Sequence, residues 1–381
     1  MARFIGFLTL YLSIYGAFHL YLLIKARRTF YLQGVPYMLL FVLLVFLLTA
    51  PIQSRVLEAR DFDVLSVVLA WIGNIWMGAL FIFICLSIPL DLYHLIMGLI
   101  RHLADVDLTA LTLSRRQSFN LTAGAALVIL LYGMFEAHYI RTETVTLHSP
   151  KIPPAAGRVR IVQLSDVHIG PMMIPSRLKA IVAAVKEAEP DLVVSTGDLI
   201  DGRVYDAGEI IHSLSSISAR LGKFAVTGNH EFYAGIHQAA LLTEQAGFAL
   251  LRGKGTSPGG FLSIVGVDDP AGRDGEAEHE TKLLSAQPGD RFTILLKHRP
   301  VVSDPDAPSF DLQLSGHTHN GQIFPFGVLV RMQYPLRCGL HSFGSGRLYV
   351  SRGSGTWGPP VRFLAPPEVT IIDLLPAGFK Q

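Results

Sequence analysis

Short turns rich in aspartate, histidine and asparagine recur through the second half of this 381-residue chain. Their candidate site residues are Asp166, His168, Asp198, Asn229, His230, His298, His317 and His319. Carboxylate, imidazole and amide ligands without cysteine suit divalent ions such as Mn²⁺, Fe²⁺ or Zn²⁺ better than a thiolate-rich structural zinc site. A carboxylate can bridge two cations, and a pair of ions stabilises the attacking and leaving oxygens of a phosphoryl displacement. The turns therefore predict a two-metal centre that cleaves phosphate esters.

Each turn taken alone is weak evidence, because aspartate after a strand is an ordinary turn residue and most histidines there are not ligands. The placement of the five turns is more specific. They directly follow the apolar runs RVRIVQL, DLVVS, KFAVT, RFTILL and FDLQL, which predict strands. Since the carboxyl ends of parallel strands open on one crevice, the five turns are expected to converge on one edge of the fold. His317 and His319 would point to opposite faces of an extended chain, so both can join the site only if a turn, permitted by Gly316, redirects one of them.

The elements between these turns indicate the fold class. Amphipathic helices are expected at about 176–188, from about 207 and from about 235, in alternation with the first strands. This alternation predicts an α/β fold with parallel strands. Further along, the strands FLSIVGV, RLYVS and EVTIIDLL are separated mostly by loops, with one helix near 276–286, which predicts a second, mixed sheet.

The first third of the chain has a different composition. Half of the whole chain is hydrophobic and its mean hydropathy is +0.40, which is too apolar for one soluble domain. Runs without Asp, Glu, Lys or Arg cover 4–24, 35–53, 64–90 and 117–135. Each is close to or above the roughly 20 residues that cross a bilayer, so residues 1–142 are expected to form a transmembrane region of four helices rather than a buried soluble core. The segment 91–103 either extends the third helix or lies along the membrane interface.

Basic residues in the short loops predict the orientation. One side holds Lys25, Arg27, Arg28, Arg101, Arg115 and Arg116, and the other holds Arg3, Arg55, Arg60 and Arg141, with Lys151 nearby. By the positive-inside rule the first side faces the cytoplasm. This distribution predicts an integral protein of a bacterial cytoplasmic membrane whose later domain lies on the extracytoplasmic side. A Pro-rich linker is expected over 143–157, and the catalytic domain over 158–381.

Composition argues against several other functions. The formal charge of +2 and the absence of a basic stripe give no reason to expect nucleic-acid binding. Cys85 and Cys338 would have to join the membrane region to the later domain, so both are expected to be free thiols. His19 and Asn74 are isolated polar groups in the spans, more typical of helix packing than of transport. The oligomeric state is open.

The five turns together resemble the ordered motifs of the calcineurin-like metallophosphoesterases. The matching residues are Asp166-Val-His168, Gly197-Asp198-Leu-Ile-Asp201, Gly228-Asn229-His230-Glu231, His298 and Gly316-His317-Thr-His319. Gly266-Val-Asp268-Asp269, Gln322-Ile-Phe-Pro325 and Pro360-Val-Arg362 are similar to the branch of YkuE-type and animal transmembrane metallophosphoesterases. The resemblance covers about 158–375 and implies a double β-sheet sandwich flanked by helices.

The resemblance also implies residue roles. It assigns Asp166, His168 and His319 to one metal, and Asn229, His298 and His317 to the second. Asp198 would bridge the two ions, and His230 would steady the phosphoryl group or protonate the leaving group.

The function expected on this basis is a membrane-anchored phosphoesterase in which a metal-activated hydroxide attacks phosphate mono- or diesters or pyrophosphates. Its substrate would be a phosphorylated small molecule or lipid. The alternative is a catalytically silent receptor or scaffold, although such proteins typically lose a ligand and here every position is filled. Asn320 stands where the branch is expected to have Gly or Ala, and Lys297 places a cation beside a candidate ligand. Trp357 and Arg362, in the segment 353–362, are candidates to meet the substrate.

Overall fold

The computed structural model describes residues 2–272, 276–304 and 309–378. The chain divides into two compact units, one comprising residues 1–134 with 358–361 and the other residues 135–357 with 362–381.

Four long helices make up the first unit. They are α1 (Ala2–Phe30), α2 (Gly34–Glu58), α3 (Asp63–Ala104) and α4 (Arg115–Glu136), whose last two residues belong to the second unit. All four are long and apolar enough to cross a membrane. At 42 residues, α3 is about 63 Å long, roughly twice the hydrocarbon thickness of a bilayer. The segment 91–103 therefore continues the third helix without interruption.

Polar groups within these helices are used in packing. The Nδ1 of His19 lies 2.8 Å from the Tyr15 carbonyl, which can only accept, so Nδ1 carries the proton. The other nitrogen, Nε2, accepts a 2.9 Å hydrogen bond from the indole of Trp76. The Asn74 amide donates to the Ala70 carbonyl at 2.8 Å. The His19 bond thus joins α1 and α3, as expected of a helix-packing contact, whereas the Asn74 bond lies within α3.

Two sheets form the second unit. The first has the strand order β1-β12-β2-β3-β4-β5 and the second β10-β11-β9-β8-β7-β6. The strands are β1 (Arg141–Ser149), β2 (Val159–Leu164), β3 (Leu192–Ser195), β4 (Lys223–Ala225), β5 (Ala249–Leu250), β6 (Lys254–Thr256), β7 (Leu262–Gly266), β8 (Phe292–Leu296), β9 (Leu312–Ser315), β10 (Gly339–Phe343), β11 (Gly346–Val350) and β12 (Glu368–Pro376). The helices are α5 (Pro175–Glu187), α6 (Ala207–Ser215), α7 (Asn229–Ala234), α8 (Ile236–Gln245), α9 (Glu276–Ser285) and α10 (Phe326–Gln333).

Successive side chains of a strand point to opposite faces of its sheet, and this alternation explains how the two sheets and the helices pack in layers. Ile161 of β2 and Val194 of β3 pack against Ile264, Ile294 and Leu314 of the second sheet, which places a core between the two sheets. The neighbouring β2 residues Val162 and Leu164 face outward and pack on α5, α6 and α8. Strands β2 to β5 are parallel, whereas β12 and both ends of the second sheet include antiparallel pairs. The predicted double sheet flanked by helices is confirmed.

The structure differs from the expected linker over 143–157. Arg141 to Ser149 form β1, an edge strand paired in parallel with β12 from Arg141↔Glu368 to Ser149↔Pro376. Its partner lies more than 200 residues further along the chain, so no local signal marks the pairing. Only the segment after Ser149, with a 3₁₀ turn at Pro154–Ala156, connects β1 to β2. The second unit, which begins at Phe135, therefore starts well before the expected boundary at Arg158.

Candidate metal centre

The ends of five strands bring the candidate residues together. Asp166, Asp198 and Asn229 follow β2, β3 and β4, while His298 follows β8 and the pair His317 and His319 follows β9. Backbone hydrogen bonds tie the turns to one another. The Asp166 amide donates to the Gly197 carbonyl at 3.0 Å, the His168 amide to the Asp198 carbonyl at 2.9 Å, and the Gly316 amide to the His298 carbonyl at 2.9 Å. The His317 amide also donates to both carboxylate oxygens of Asp166, at 2.9 and 3.0 Å, so turns from both sheets form one continuous rim.

A first group of ligand atoms belongs to Asp166, His168 and His319. The Nε2 atoms of the two histidines are 3.0 Å apart, and Nε2 of His319 lies 3.5 Å from Oδ1 of Asp166. All three side chains are buried. Their donor atoms lie close enough together to coordinate one cation.

A second group comprises Asp198, His298 and His317. Nδ1 of His317 lies 3.1 Å from Nε2 of His298, which in turn lies 3.2 Å from Oδ2 of Asp198. That same Oδ2 is 3.8 Å from Nε2 of His168 in the first group. The other oxygen of Asp198 accepts the His230 amide at 2.8 Å. Oδ2 of Asp198 is therefore the atom between the two groups.

In His298 and His168, the ring nitrogen that faces away from the site makes a hydrogen bond, and these bonds show that the inward-facing nitrogens suit cations. Nδ1 of His298 lies 2.8 Å from the Thr196 carbonyl, and Nδ1 of His168 lies 3.2 Å from Oδ2 of Asp201. Because a carbonyl and a carboxylate only accept, both Nδ1 atoms carry protons, so Nε2 is the inward-facing atom of each ring that can offer a lone pair to a cation. Lone pairs facing one another at 3.0 to 3.1 Å repel unless a proton or a metal ion lies between them. The donor set fits divalent metal ions.

The side-chain oxygen of Asn229 independently indicates a cation site. It is the first residue of α7 and is only 7% exposed, yet its Oδ1 has no hydrogen-bond partner among the described residues. A buried carbonyl oxygen without a partner is costly and rare. A cation would satisfy this oxygen, as the sequence interpretation requires.

The backbone of the site is strained in a consistent way. Asp166, His168, Asp198, His317 and His319 all have φ between 48° and 72°, in the left-handed region that non-glycine residues seldom adopt. Such outliers persist at functional sites because the surrounding structure holds them. This conformation redirects both His317 and His319 inward, so the turn expected at Gly316 is made by the histidines themselves. Gly316 serves instead for close approach, since a Cβ there would overlap Ser165 Oγ and Asp166 Oδ2.

The charged groups of the site shift one another's pKa values. Burial by itself raises the pKa of Asp198, but His298 outweighs it and holds that pKa well below its usual range. Burial lowers the pKa of His317 to about 3, with repulsion from His298 as the next cause. Burial and the nearby Arg362 guanidinium lower the pKa of His319 as well. His317 and His319 are therefore neutral at physiological pH and can offer a lone pair to a cation.

His230 lies beside the first group and differs from it. Its Nδ1 is 2.9 Å from Oδ1 of Asp201, and its ring packs edge-on against His168 at a centroid distance of 4.7 Å. Burial by itself lowers the pKa of His230, but the Asp201 hydrogen bond and the charge of Asp198 outweigh it and raise the pKa to about 9. Since Nδ1 donates to Asp201, the proton on Nε2 is the one available for transfer.

Three further residues support the site: Asp201 and Glu231, to which the sequence assigned no role, and Arg362, which was expected to meet the substrate. The Asp201 carboxylate orients both His168 and His230, and its position in Gly-Asp-Leu-Ile-Asp is the signal that pointed to it. Glu231 accepts the amides of Asp198, Ile200 and Gly228, which fixes the turns after β3 and β4. Arg362 is fully buried, donates to the carbonyls of residues 352, 353, 355 and 365, and places Nη2 at 3.0 Å from Nδ1 of His319.

The structure changes the interpretation of the other rim candidates. Arg362 does not meet substrate, because its guanidinium is enclosed by backbone carbonyls beneath His319. Lys297 points to the buried Glu280 at 2.6 Å and to Ser303, so its charge is already paired. Asn320 accepts from Arg337 at 2.7 Å and has a φ of 51°. Of these four residues, Trp357 alone is placed to contact a substrate. Its side chain is half exposed, and the centroid of its ring lies 6.0 Å from that of His230.

Comparison with known proteins places these motifs in context. Residues 159–321 match the family described as calcineurin-like phosphoesterase. An uncharacterized metallophosphoesterase of Aquifex aeolicus is 34% identical over 258 residues, which is 66% of this chain and 98% of that protein. The uncharacterized metallophosphoesterase YkuE of Bacillus subtilis is 35% identical over 269 residues, covering 67% and 91%. A transmembrane protein with metallophosphoesterase domain from Danio rerio is 31% identical over 265 residues, covering 65% and 60%.

Proposed function

The chain belongs to the calcineurin-like metallophosphoesterases, and on this premise we propose that it is a membrane-anchored hydrolase of phosphate esters or pyrophosphates. The observation that carries the proposal is the convergence of buried donor atoms in two groups around Oδ2 of Asp198. The anchor would be α1 to α4, which are apolar and long enough to cross a membrane.

We propose that two divalent ions bind here. Asp166, His168 and His319 would hold one ion, and Asn229, His298 and His317 the other, with Asp198 shared between them. Mn²⁺, Fe²⁺ and Zn²⁺ all accept this set of nitrogen and oxygen donors. When bound, the ions would supply an activated hydroxide and neutralise charge on the phosphoryl oxygens.

The protein's own residues would do the remaining chemistry. His230, protonated on Nε2 and held by Asp201, can donate a proton to the departing oxygen. The same imidazolium stabilises negative charge that develops on the phosphoryl group. Glu231 and Arg362 position the turns and touch no reacting atom. The partly exposed Trp357 beside His230 offers a flat apolar surface to the group that carries the phosphate.

The proposed location is a bacterial cytoplasmic membrane with the catalytic unit on the extracytoplasmic side. The support is the distribution of Lys and Arg, since the larger basic set flanks the ends of α1 and α3 and the start of α4. Phosphorylated lipids and envelope metabolites are the substrates that such a location favours.

Substrate screening on the full-length protein in detergent tests this function. Supplied with Mn²⁺, it is expected to hydrolyse p-nitrophenyl phosphate or its bis ester, and to act on at least one of a panel of phospholipids, nucleotides and nucleotide-linked lipid pyrophosphates. Phosphate or phosphomonoester release is the measurement. A chelator should remove the activity and added Mn²⁺ should restore it. A metal-loaded, folded protein that releases product from none of these compounds would contradict the proposal.

A further inference from the structure

The helical unit contains a cavity that the proposed hydrolase does not use. It has a volume of about 630 Å³ and lies between the C-terminal parts of α1 and α3, the start of α4 and the connection between α3 and α4. All of its lining residues belong to the first unit. It is thus a feature of the helices themselves.

The charge of this cavity is unbalanced. Four basic side chains line it, Lys25, Arg28, Arg101 and Arg115, against one acidic side chain, Asp91. Asp91 is already occupied, since it pairs with Lys25 at 2.5 Å and accepts the Tyr21 hydroxyl at 2.6 Å. Among the described residues, none of the three arginines forms an ion pair. The cavity therefore presents three guanidinium groups that form no ion pair with its lining, although Asp107 lies near enough to Arg101 to interact with its charge.

Ordinary helix electrostatics explain only part of this arrangement. Arg28 and Arg101 lie in the last turns of α1 and α3, where a cation favours the helix dipole. Arg115 is the first residue of α4, where the dipole is positive and a cation is disfavoured. An anion in the cavity would satisfy both the arginine and the helix N-terminus.

The remaining lining indicates what carries the anion. Ser118 is also a lining residue; it is only 3% exposed, and its hydroxyl has no hydrogen-bond partner among the described residues. Ile24, Met97 and Leu113 give the same cavity an apolar wall. Guanidinium forks without an ion-pair partner recognise phosphate, and the apolar wall suits a hydrocarbon chain.

We propose that this cavity binds a phosphate group, held by Arg28, Arg101 and Arg115, and supplied by an anionic phospholipid or by phosphate in solution. Basic pockets between membrane helices recognise lipid headgroups in this way. The site is separate from the candidate metal centre, and it would act whether or not the hydrolase proposal holds.

Thermal unfolding of the full-length protein in a neutral detergent tests the proposal. Phosphatidylglycerol, phosphatidylcholine and inorganic phosphate are titrated separately, with a chelator present so that no turnover occurs. We expect phosphatidylglycerol to raise the Tm with a saturable midpoint. The double variant Arg28→Gln/Arg115→Gln should shift that midpoint about tenfold or more to higher concentration. Arg116→Gln is the matched control, because Arg116 is exposed on the same helix and does not line the cavity.

The outcomes separate the two sources of phosphate. A response to phosphatidylglycerol alone identifies a lipid headgroup, and an equal response to inorganic phosphate with the same dependence on Arg28 and Arg115 identifies free phosphate. Equal stabilisation by phosphatidylcholine, no response to any probe, or an equal loss in Arg116→Gln would overturn the proposal. The Tm measured without any added probe should be unchanged in the arginine variants and serves as the test of folding.

Discussion

Replacing Asp198 by asparagine is expected to lower kcat/KM for phosphate ester hydrolysis at least about 100-fold, more than the loss typical of residues that only support a ligand. Asparagine keeps the shape and still accepts the His230 amide through Oδ1. It removes the negative charge at the position of Oδ2, between His168 and His298. Hydrolysis rates and the metal content of the purified variant are the measurements, and both should fall together.

Asp290→Asn is the matched control for this change. Asp290 is exposed in a turn before β8, at the opposite end of that strand from His298, so the same loss of charge there should leave metal content and rate unchanged. If Asp198→Asn retained both its metal and its rate, Asp198 would not be the shared ligand.

Replacing His230 by alanine is expected to lower kcat by about 10²- to 10⁴-fold, the usual contribution of a positioned proton donor. The effect should differ from that of Asp198→Asn, because His230 would act in proton transfer and its replacement leaves the seven candidate ligands in place. Metal content should therefore be retained. Steady-state kinetics together with metal analysis measure the two quantities on the same sample.

His212→Ala provides the comparison for His230, since His212 is exposed on α6 and removing its ring changes no buried contact. A His230→Ala protein that loses its metal would indicate that the ring is needed for metal binding instead. Unchanged kcat in that variant would exclude the proposed proton transfer.

Much of this architecture follows from local patterns in the sequence. Charge-free runs gave the four long helices, and alternating apolar runs gave the strands after which the polar turns occur. The convergence of those turns follows because parallel strands end at the same edge of a sheet. Short helices such as α7 and α10 and short strands such as β5 and β10 were not predicted, because a few residues show too little hydrophobic periodicity.

The features that sequence reasoning missed depend on distant partners. The partner of β1 is β12, at the other end of the catalytic unit. Arg362 contacts His319 from 43 residues away, and burial rather than residue type separates it from a substrate-binding arginine. The left-handed backbone at His317 and His319 is likewise imposed by the surrounding turns, because histidine itself does not favour that conformation.

Metal content measured alongside activity tests the central claim most directly. The full-length protein, stripped with a chelator and titrated with Mn²⁺, is expected to take up two ions per chain. The rate of bis-p-nitrophenyl phosphate hydrolysis should rise as Mn²⁺ binds and reach its maximum when the second ion is bound. Hydrolysis that persists in the stripped protein, or a folded protein that binds no ion at any concentration tested, would contradict a dinuclear phosphoesterase.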